Sequence, residues 1–359
     1  MRDSREIYFR LEKLPSRAAL EREWRALDAA GAHSFFLSWS WINAMLSSWP
    51  ERFSLLRASR GDSTHALALV TWRHGWQAHL FPVRQAFLNT IGDPQADGVM
   101  IEHNGFALAG VEEGALWLGL LEFFAEGAFG ARELVVPGMS QHKGALPREI
   151  SSAENIRFAY RTDLRKVAET GVAQCVSRNT RQQLRRNLRD AGGNVAITAA
   201  KDKDEALAYF AELKALHIRS WEKRRKHHAF DNPIFEPFHH AVISTGIEDG
   251  SVELLRLEAG SRLLGYLYNF QRNGVVSSYQ SGFAEEVARP GYLCHAAAME
   301  HYAARGLLTY DFLAGTNQLK SSLGLERYEL CWRRYRRPSL GVIAEQLAHW
   351  AVQRAKPAM

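Results

Sequence analysis

The stretch VVSSYQSGFAEEVARPGYLCHAAAMEHYAARGLLTYDFLAGTNQLK, Val275 to Lys320, decides how the chain folds. Val275 to Phe283, bounded by turn residues and carrying β-branched and aromatic residues, reads as a strand that runs into a short loop. Pro290 and Gly291 stand where a helix begins, Ala296 to Ala298 are strong helix formers, and Gly306 supplies a stop. A short apolar strand follows from Leu307 to Leu313, interrupted by Asp311, a carboxylate that is costly in a buried strand unless paired or functional. The start of the helix leaves several N–H groups unpaired at the positive end of its dipole, and Arg289 adds a full charge beside them. A pyrophosphate suits that place. An ordinary helix start with a solvated arginine is the plainer reading of the segment taken alone.

Upstream, LLRLEAGSRLLGYLYNFQRNG from Leu254 lies without a gap on LLRASRGDSTHALALVTWRHG from Leu55, 199 residues earlier. The two coincide at Leu55/Leu254, Leu56/Leu255, Arg57/Arg256, Gly61/Gly260, Arg73/Arg272 and Gly75/Gly274. Each copy reads as strand, glycine turn, strand, turn and further strand, an antiparallel meander present twice. Helical spacing precedes both, at Leu20, Trp24 and Leu27 in one half and at Leu207, Phe210, Leu213 and Leu216 in the other. The segment from about Pro137 to Gln174 has turn residues and no strong period, so the boundary is expected there.

Meander, S-Y-x-S-G-F strand, R-P-G-x-L loop, helix and Y-D-F-L-x-G-x-x-x-x-K resemble the GNAT acyltransferase superfamily. The likeness is to its tandem-domain branch associated with cellulose and exopolysaccharide biosynthesis, which is similar also to the peptidyltransferases of cell-wall precursors. It extends to EWRALDAAGAHSFFLSWSWINAML, from Glu23 to Leu46. The resemblance implies an α/β (α+β) chain of two tandem GNAT-like domains, each a mixed, mainly antiparallel sheet flanked by helices. A degenerate N-terminal domain would span 1–165 and an acyltransferase domain 166–359. Acyl-CoA, acetyl or longer, is the implied co-substrate. Its pantetheine arm would lie along Tyr279, Gln280, Ser281, Gly282 and Phe283, and its pyrophosphate on Arg289, Pro290, Gly291, Tyr292 and Leu293. Asp311 would orient or deprotonate the acceptor amine; a tyrosine would serve the leaving thiolate, with Tyr279 taken ahead of Tyr292 and Tyr310 near the same site; and Lys320 would hold an acceptor anion, its plainer alternative being a solvated loop lysine. Asn317, Gln318 and Leu319 depart from the acidic and aromatic residues common before that lysine.

Two further stretches bear on the acceptor. Arg181, Arg185 and Arg189 recur at every fourth position of one cationic helix face, which suits a diphosphate or remains a solvated face. His217, Trp221 and Arg224 align with the apolar face that holds Leu213, in an L-H-x-x-x-W-x-x-R pattern similar to a family helix beside the acceptor cleft.

Composition narrows the classes. With 45 Lys+Arg against 39 Asp+Glu the net charge is +6, which permits polyanion binding without implying it. Three cysteines, none in a C-x-x-C pair, suggest neither a disulfide framework nor a cysteine metal site. The pairs His227-His228 and His239-His240 read as surface residues and poor joint ligands, so no metal is expected. No G-x-G-x-x-G, P-loop, G-x-S-x-G or H-E-x-x-H motif occurs. The most apolar run, Ala115 to Leu121, stops at Glu122, and the N-terminus has no secretion signal, so a cytoplasmic protein without stable membrane insertion is expected. The C-terminal residues Val342, Leu347 and Trp350 suggest an amphipathic helix that packs on the second domain or touches the inner membrane face.

The leading expectation is an N-acyltransferase acting on an amine of a small molecule or glycan precursor, such as an amino sugar or a cell-envelope precursor. The alternatives are aminoacyl transfer from a charged tRNA, an acyl-carrier donor, and a non-catalytic polysaccharide-binding protein on a GNAT scaffold suggested by the 10 Trp.

Overall fold

The computed structural model describes residues 7–50, 52–77, 81–99, 101–140, 146–339 and 341–342. Contacts divide the chain into two compact units, one formed by residues up to 39, 49–156 and from 331 on, the other by 40–48 and 157–330. The first part of the chain supplies β1 (Tyr8–Lys13), α1 (Arg17–Ala30), α2 (Trp39–Ser48), β2 (Ser54–Arg60), β3 (Ser63–Gln77), β4 (Phe81–Leu88), β5 (Ala107–Leu108), α3 (Glu113–Ala125), β6 (Glu133–Ser140) and β7 (Ser151–Asp163). There follow α4 (Leu164–Thr170), α5 (Val172–Cys175), α6 (Arg178–Ala191), β8 (Val195–Ala199), α7 (Lys203–Lys223), α8 (Phe235–Gly246), β9 (Val252–Ala259), β10 (Arg262–Arg272), β11 (Val275–Phe283), α9 (Pro290–Ala304), β12 (Thr309–Ala314), α10 (Gln318–Leu323) and β13 (Glu326–Arg336).

These boundaries differ from the expected division at 165/166. The chain passes to the second unit within β7 and leaves it within β13, two strands whose pairing has no local signal, and α2 joins the second unit apart from Trp39. The C-terminal helix expected over Val342, Leu347 and Trp350 lies, beyond the buried Val342, outside the described residues.

The two units share one plan. In the first, β1, β2, β3 and β4 pair antiparallel in succession and β6 joins β4 in parallel. In the second, β8, β9, β10 and β11 do the same, and β12 joins β11 in parallel. The parallel strand follows a helix in each case, α3 or α9, because a parallel neighbour needs a crossover. The chain is thus a mixed α/β protein in which the same strand plan, flanked by helices, occurs in each unit. Each buries its own core, around Leu56, Trp117, Phe124 and Leu134 in the first unit and Leu255, Leu267, Met299 and Tyr310 in the second.

The repeat is half as regular as its identities suggest. Gly61 and Gly260 both turn the chain at φ +59 and φ +60. Gly274 also turns it, with Asn273 before it at positive φ, the Asn-Gly pair a tight hairpin prefers. Gly75 does not: His74 replaces the asparagine, and β3 runs on through Gly75 paired with Val83.

Glycine is required where α7 crosses β11. A Cβ on Gly282 would lie 2.3 Å from the carbonyl oxygen of Leu213. The obstacle is backbone, which cannot swing aside, so Gly282→Ala should destabilise the protein by about 1–3 kcal/mol in urea unfolding. An unchanged unfolding midpoint would contradict this packing.

Candidate active site

β11 and β12 touch only at their starts, where Val275, Val276 and Ser277 face Thr309, Tyr310 and Asp311. Beyond that, β11 continues along β10 and β12 along β7, so a wedge opens between them. Both walls have a local cause. On β11, Tyr279 is the extra residue of a bulge between the Tyr268–Gln280 and Asn269–Ser278 pairs, and a bulge bends its strand. On β12, the register shifts after Asp311, with Leu313 at φ +61.

The open edge of β11 carries backbone groups. Ala284 N–H donates to Leu264 O on β10, and the direction of backbone groups alternates along a strand, so those of Ser281 face the other edge. There the Ser281 N–H donates to Gln280 Oε1 at 3.1 Å, and the Ser281 carbonyl accepts Nδ1–H of His217 at 3.0 Å.

Helix α9 starts beside the end of this strand. Arg289 caps it in the left-handed region at φ 52, ψ 51 with no side-chain capping bond, and its side chain is exposed. Pro290 occupies the first helical position, and a Cβ on Gly291 would meet Leu319 at 2.9 Å and the Phe283 ring at 3.0 Å. Gln280 to Phe283 and Arg289 to Gly291 therefore come together. Tyr292 and Leu293 instead point their side chains into the core.

Asp311 is 2 % exposed and fully engaged. Its Oδ1 accepts the Leu313 N–H at 2.8 Å, and the Tyr328 hydroxyl lies 2.8 Å from Oδ1 and 2.6 Å from Oδ2. This answers the cost of burying the carboxylate and holds the strained turn at Leu313. Lys320 likewise folds back, donating to the carbonyls of Leu313 at 3.3 Å and Ala314 at 2.6 Å, where an acceptor anion had been expected. Tyr279 is half-buried among Phe270 (centroids 4.9 Å), His239 (4.9 Å) and Trp41 (5.9 Å).

The arginines divide. Arg181 binds the carbonyls of Ala173 and Gln174 at the end of α5, whereas Arg185, Arg186 and Arg189 are exposed around a depression of about 520 Å³ shared with Asn179, Gln182 and Gln183. On α7, His217 is buried and stacks on the half-buried Trp221 at 5.5 Å, 28° between planes. Arg224, at the C-cap, is exposed and bonds Ser220.

His239 corrects the reading of the histidine pairs as surface residues. It is 0 % exposed, inside a box of Phe235, Phe238, Tyr268 and Tyr279, because α8 turns Phe235, Phe238, His239 and Val242 to one face and only His240 outward. Burial pushes its imidazole well below the usual range.

Sequence reasoning also missed His295 on α9, whose Nδ1 lies 2.9 Å from the Tyr310 hydroxyl beneath the wedge. Helical spacing from His295 to the core residues Met299 and Tyr302 was the available signal. Tyr328 and Trp41 carried no sequence signal linking them to Asp311 or Tyr279. Among the described residues no group of three or more His, Cys, Asp or Glu could hold a metal, and no helix is long and apolar enough to cross a membrane.

Among the described residues of unit 1 the corresponding gap is filled. Where β4 and β6 would part, Asn104 bridges to Met139, its N–H donates to Gly138 O, and its side chain donates to Leu88 O at 3.0 Å. Asn89, fully buried at φ 51, ties this segment down through Asn104 Oδ1 (2.9 Å) and Gly105 O (2.8 Å).

Two outcomes follow from this geometry. Tyr328→Phe leaves the Asp311 carboxylate short of a donor and should cost about 1.5–3 kcal/mol in urea unfolding; no loss would mean that the hydroxyl does not hold it. Burial first, and the charge of Lys320 second, hold the His295 pKa down to about 3 from the ordinary 6.5. Between those values the unfolded chain binds this proton and the folded one does not, so stability falls on acidification. The slope is about 1.4 kcal/mol per pH unit, and His295→Gln should flatten the curve by that amount between about pH 6 and 4. A variant with the parent's slope would contradict the burial of a neutral imidazole.

The acetyltransferase (GNAT) domain family matches residues 178–321, wholly inside the second unit. No curated protein matches the chain. Among solved structures, FemX is similar at 14% identity, covering 91% of this chain and 98% of that one with a TM-score of 0.56. L-PGS from Bacillus licheniformis is similar at 10% identity, 94% and 98% coverage and a TM-score of 0.54. A conserved protein of unknown function from Bacteroides thetaiotaomicron is similar at 11% identity, 91% and 99% coverage and a TM-score of 0.53. At these identities the likeness is one of fold. The wedge, the open edge of β11 and the start of α9 all fall within the segment that the acetyltransferase (GNAT) domain family matches.

Proposed function

We propose that this protein is an N-acyltransferase that moves an acyl group from a CoA thioester in the second unit to an amine of a small molecule or glycan precursor, an amino sugar being the leading class. The single observation that carries this reading is the wedge between β11 and β12 with a helix N-terminus beside it. An extended amide-bearing arm finds backbone partners on the edge at Ser281, and a pyrophosphate finds the first N–H groups of α9 with Arg289 beside them. The first unit acts as a degenerate copy, because the chain's own Asn104 segment occupies the corresponding gap.

Acyl transfer to nitrogen needs a neutral amine, polarisation of the carbonyl and a proton for the leaving group. Tyr279, half-buried on the bulge, is the candidate acid for the thiolate. Asp311 serves through Tyr328 and Leu313 as support for the far wall of the wedge.

A second reading, aminoacyl transfer from a charged tRNA, has its own support in Arg185, Arg186 and Arg189, exposed together on α6. Backbone phosphates would be its partners, and binding would weaken steeply with salt. A non-catalytic polysaccharide binder has less support: of the described tryptophans only Trp76 is exposed, where a glycan platform would need several.

Thermal unfolding with ligands separates these readings, since a ligand that binds only the folded state raises the midpoint. CoA and acetyl-CoA should raise it, and Arg289→Glu should weaken that binding about tenfold, on the order of 1.4 kcal/mol. A shift with uncharged or charged tRNA and none with any CoA thioester would move the donor to the second class.

A further inference from the structure

His217 satisfies one of its two ring nitrogens and leaves the other without a partner. Its Nδ1–H donates to the carbonyl of Ser281 on the open edge of β11, which fixes the tautomer and leaves Nε2 as a lone pair. The residue is 6 % exposed, and Nε2 is buried with no hydrogen-bond partner. An unpaired buried acceptor costs about 1–3 kcal/mol and calls for an explanation. Around it, the Trp221 ring stacks on one side, while the Phe230 and His228 rings approach edge-on with centroids at 5.5 Å and 6.0 Å. His239 also has an unpartnered Nε2, but aromatic rings of the core enclose it. His217 alone combines a free lone pair with a bond to the edge along which the donor would lie.

We propose that His217 is the general base of the transfer, its Nε2 accepting a proton from the acceptor nitrogen; this deepens, and rests on, the acyl-transfer reading above. The neutral amine adds its lone pair to the acyl carbonyl carbon, forming the C–N bond and leaving the nitrogen cationic in a tetrahedral intermediate. That nitrogen is a stronger acid than the original ammonium, and its proton passes to His217 Nε2. The intermediate collapses with cleavage of the C–S bond, the sulfur departs with the bonding pair and takes a proton from the Tyr279 hydroxyl, and the proton held by His217 returns through water to the tyrosinate. Burial disfavours the imidazolium and keeps His217 unprotonated to a lower pH than an ordinary histidine. The charges bearing on it are Arg224 on its own helix and His228 from the loop after it, both opposing protonation. Lys214 lies over Phe230 and pairs with Glu236, and β11 contributes only the Ser281 carbonyl.

His217→Asn separates the two roles of the ring, because the asparagine amide can still donate to Ser281 O while Nε2 is lost. With acetyl-CoA and D-glucosamine, followed by release of the free thiol, the full-length variant should lose about 10²–10⁴-fold in kcat, the usual worth of a general base. Its midpoint shift with acetyl-CoA should match the parent's. The acidic limb of the parent's kcat/KM profile, which falls below the ordinary histidine range, should vanish in the variant. A kcat within about threefold of the parent, or a reduced kcat that keeps the acidic limb, would overturn the proposal and leave His217 a packing residue. Nitrogen-15 NMR of the parent's imidazole reads the same claim without turnover: the Nδ1–H tautomer at pH 7 is expected, and an Nε2–H tautomer would overturn it. The acyl-transfer reading fails separately, when the parent neither binds acetyl-CoA nor releases thiol while the tautomer is as expected, and the base proposal then falls with it.

Discussion

The parting of β11 from β12 is the constraint on which the rest of the second unit depends. A parallel pair normally continues its ladder for the length of the shorter strand, because each unmade bond in a sheet interior leaves costly polar groups. Here three residue pairs form and then stop. The chain compensates on each wall with its own side chains: Gln280 and His217 take the backbone of Ser281, and Asp311 and Lys320 take the backbone around Leu313. The wedge is thus a built feature: the Ser281 N–H, held only by the neighbouring Gln280 side chain, is available to a ligand that makes an equivalent bond, while the Ser281 carbonyl keeps His217 in place.

The first unit shows the same topology with the opposite solution. Its sheet also passes from antiparallel meander to parallel strand through a helix, yet Asn89 and Asn104 stitch an intervening segment between the separating strands. A fully buried asparagine in the left-handed region, with its amide nitrogen and oxygen both engaged, is a structural clamp. One topology, present twice, therefore carries one open wedge and one filled gap, and the difference rests on a few polar side chains.

Much of this was legible in the sequence because it is local. The turn at Gly260, the Asn273-Gly274 hairpin, the Pro290-Gly291 helix start and the buried Asp311 each announce themselves by residue type. What remained hidden is long-range. Nothing near Asp311 indicates that Tyr328 will bond it, and nothing near Trp41 places it beside Tyr279, since these contacts are closed only by the tertiary fold. Gly75 shows the converse: an identity with Gly274 lacked the neighbouring asparagine that makes the turn, so the same residue sits inside a strand. Lys320 reads as a ligand contact from the family resemblance, whereas its bonds to Leu313 and Ala314 answer the need of two carbonyls left by the turn.

Hydrogen–deuterium exchange with and without acetyl-CoA addresses the central claim most directly, because it reports backbone amides by position. Slowed exchange is expected over residues 281–283 and 291–293, with no change over 89–105, where the first unit's gap is already filled. Protection confined to the arginine helix at 178–191, or spread over 89–105 with none at 281–283, would contradict a donor site in the wedge.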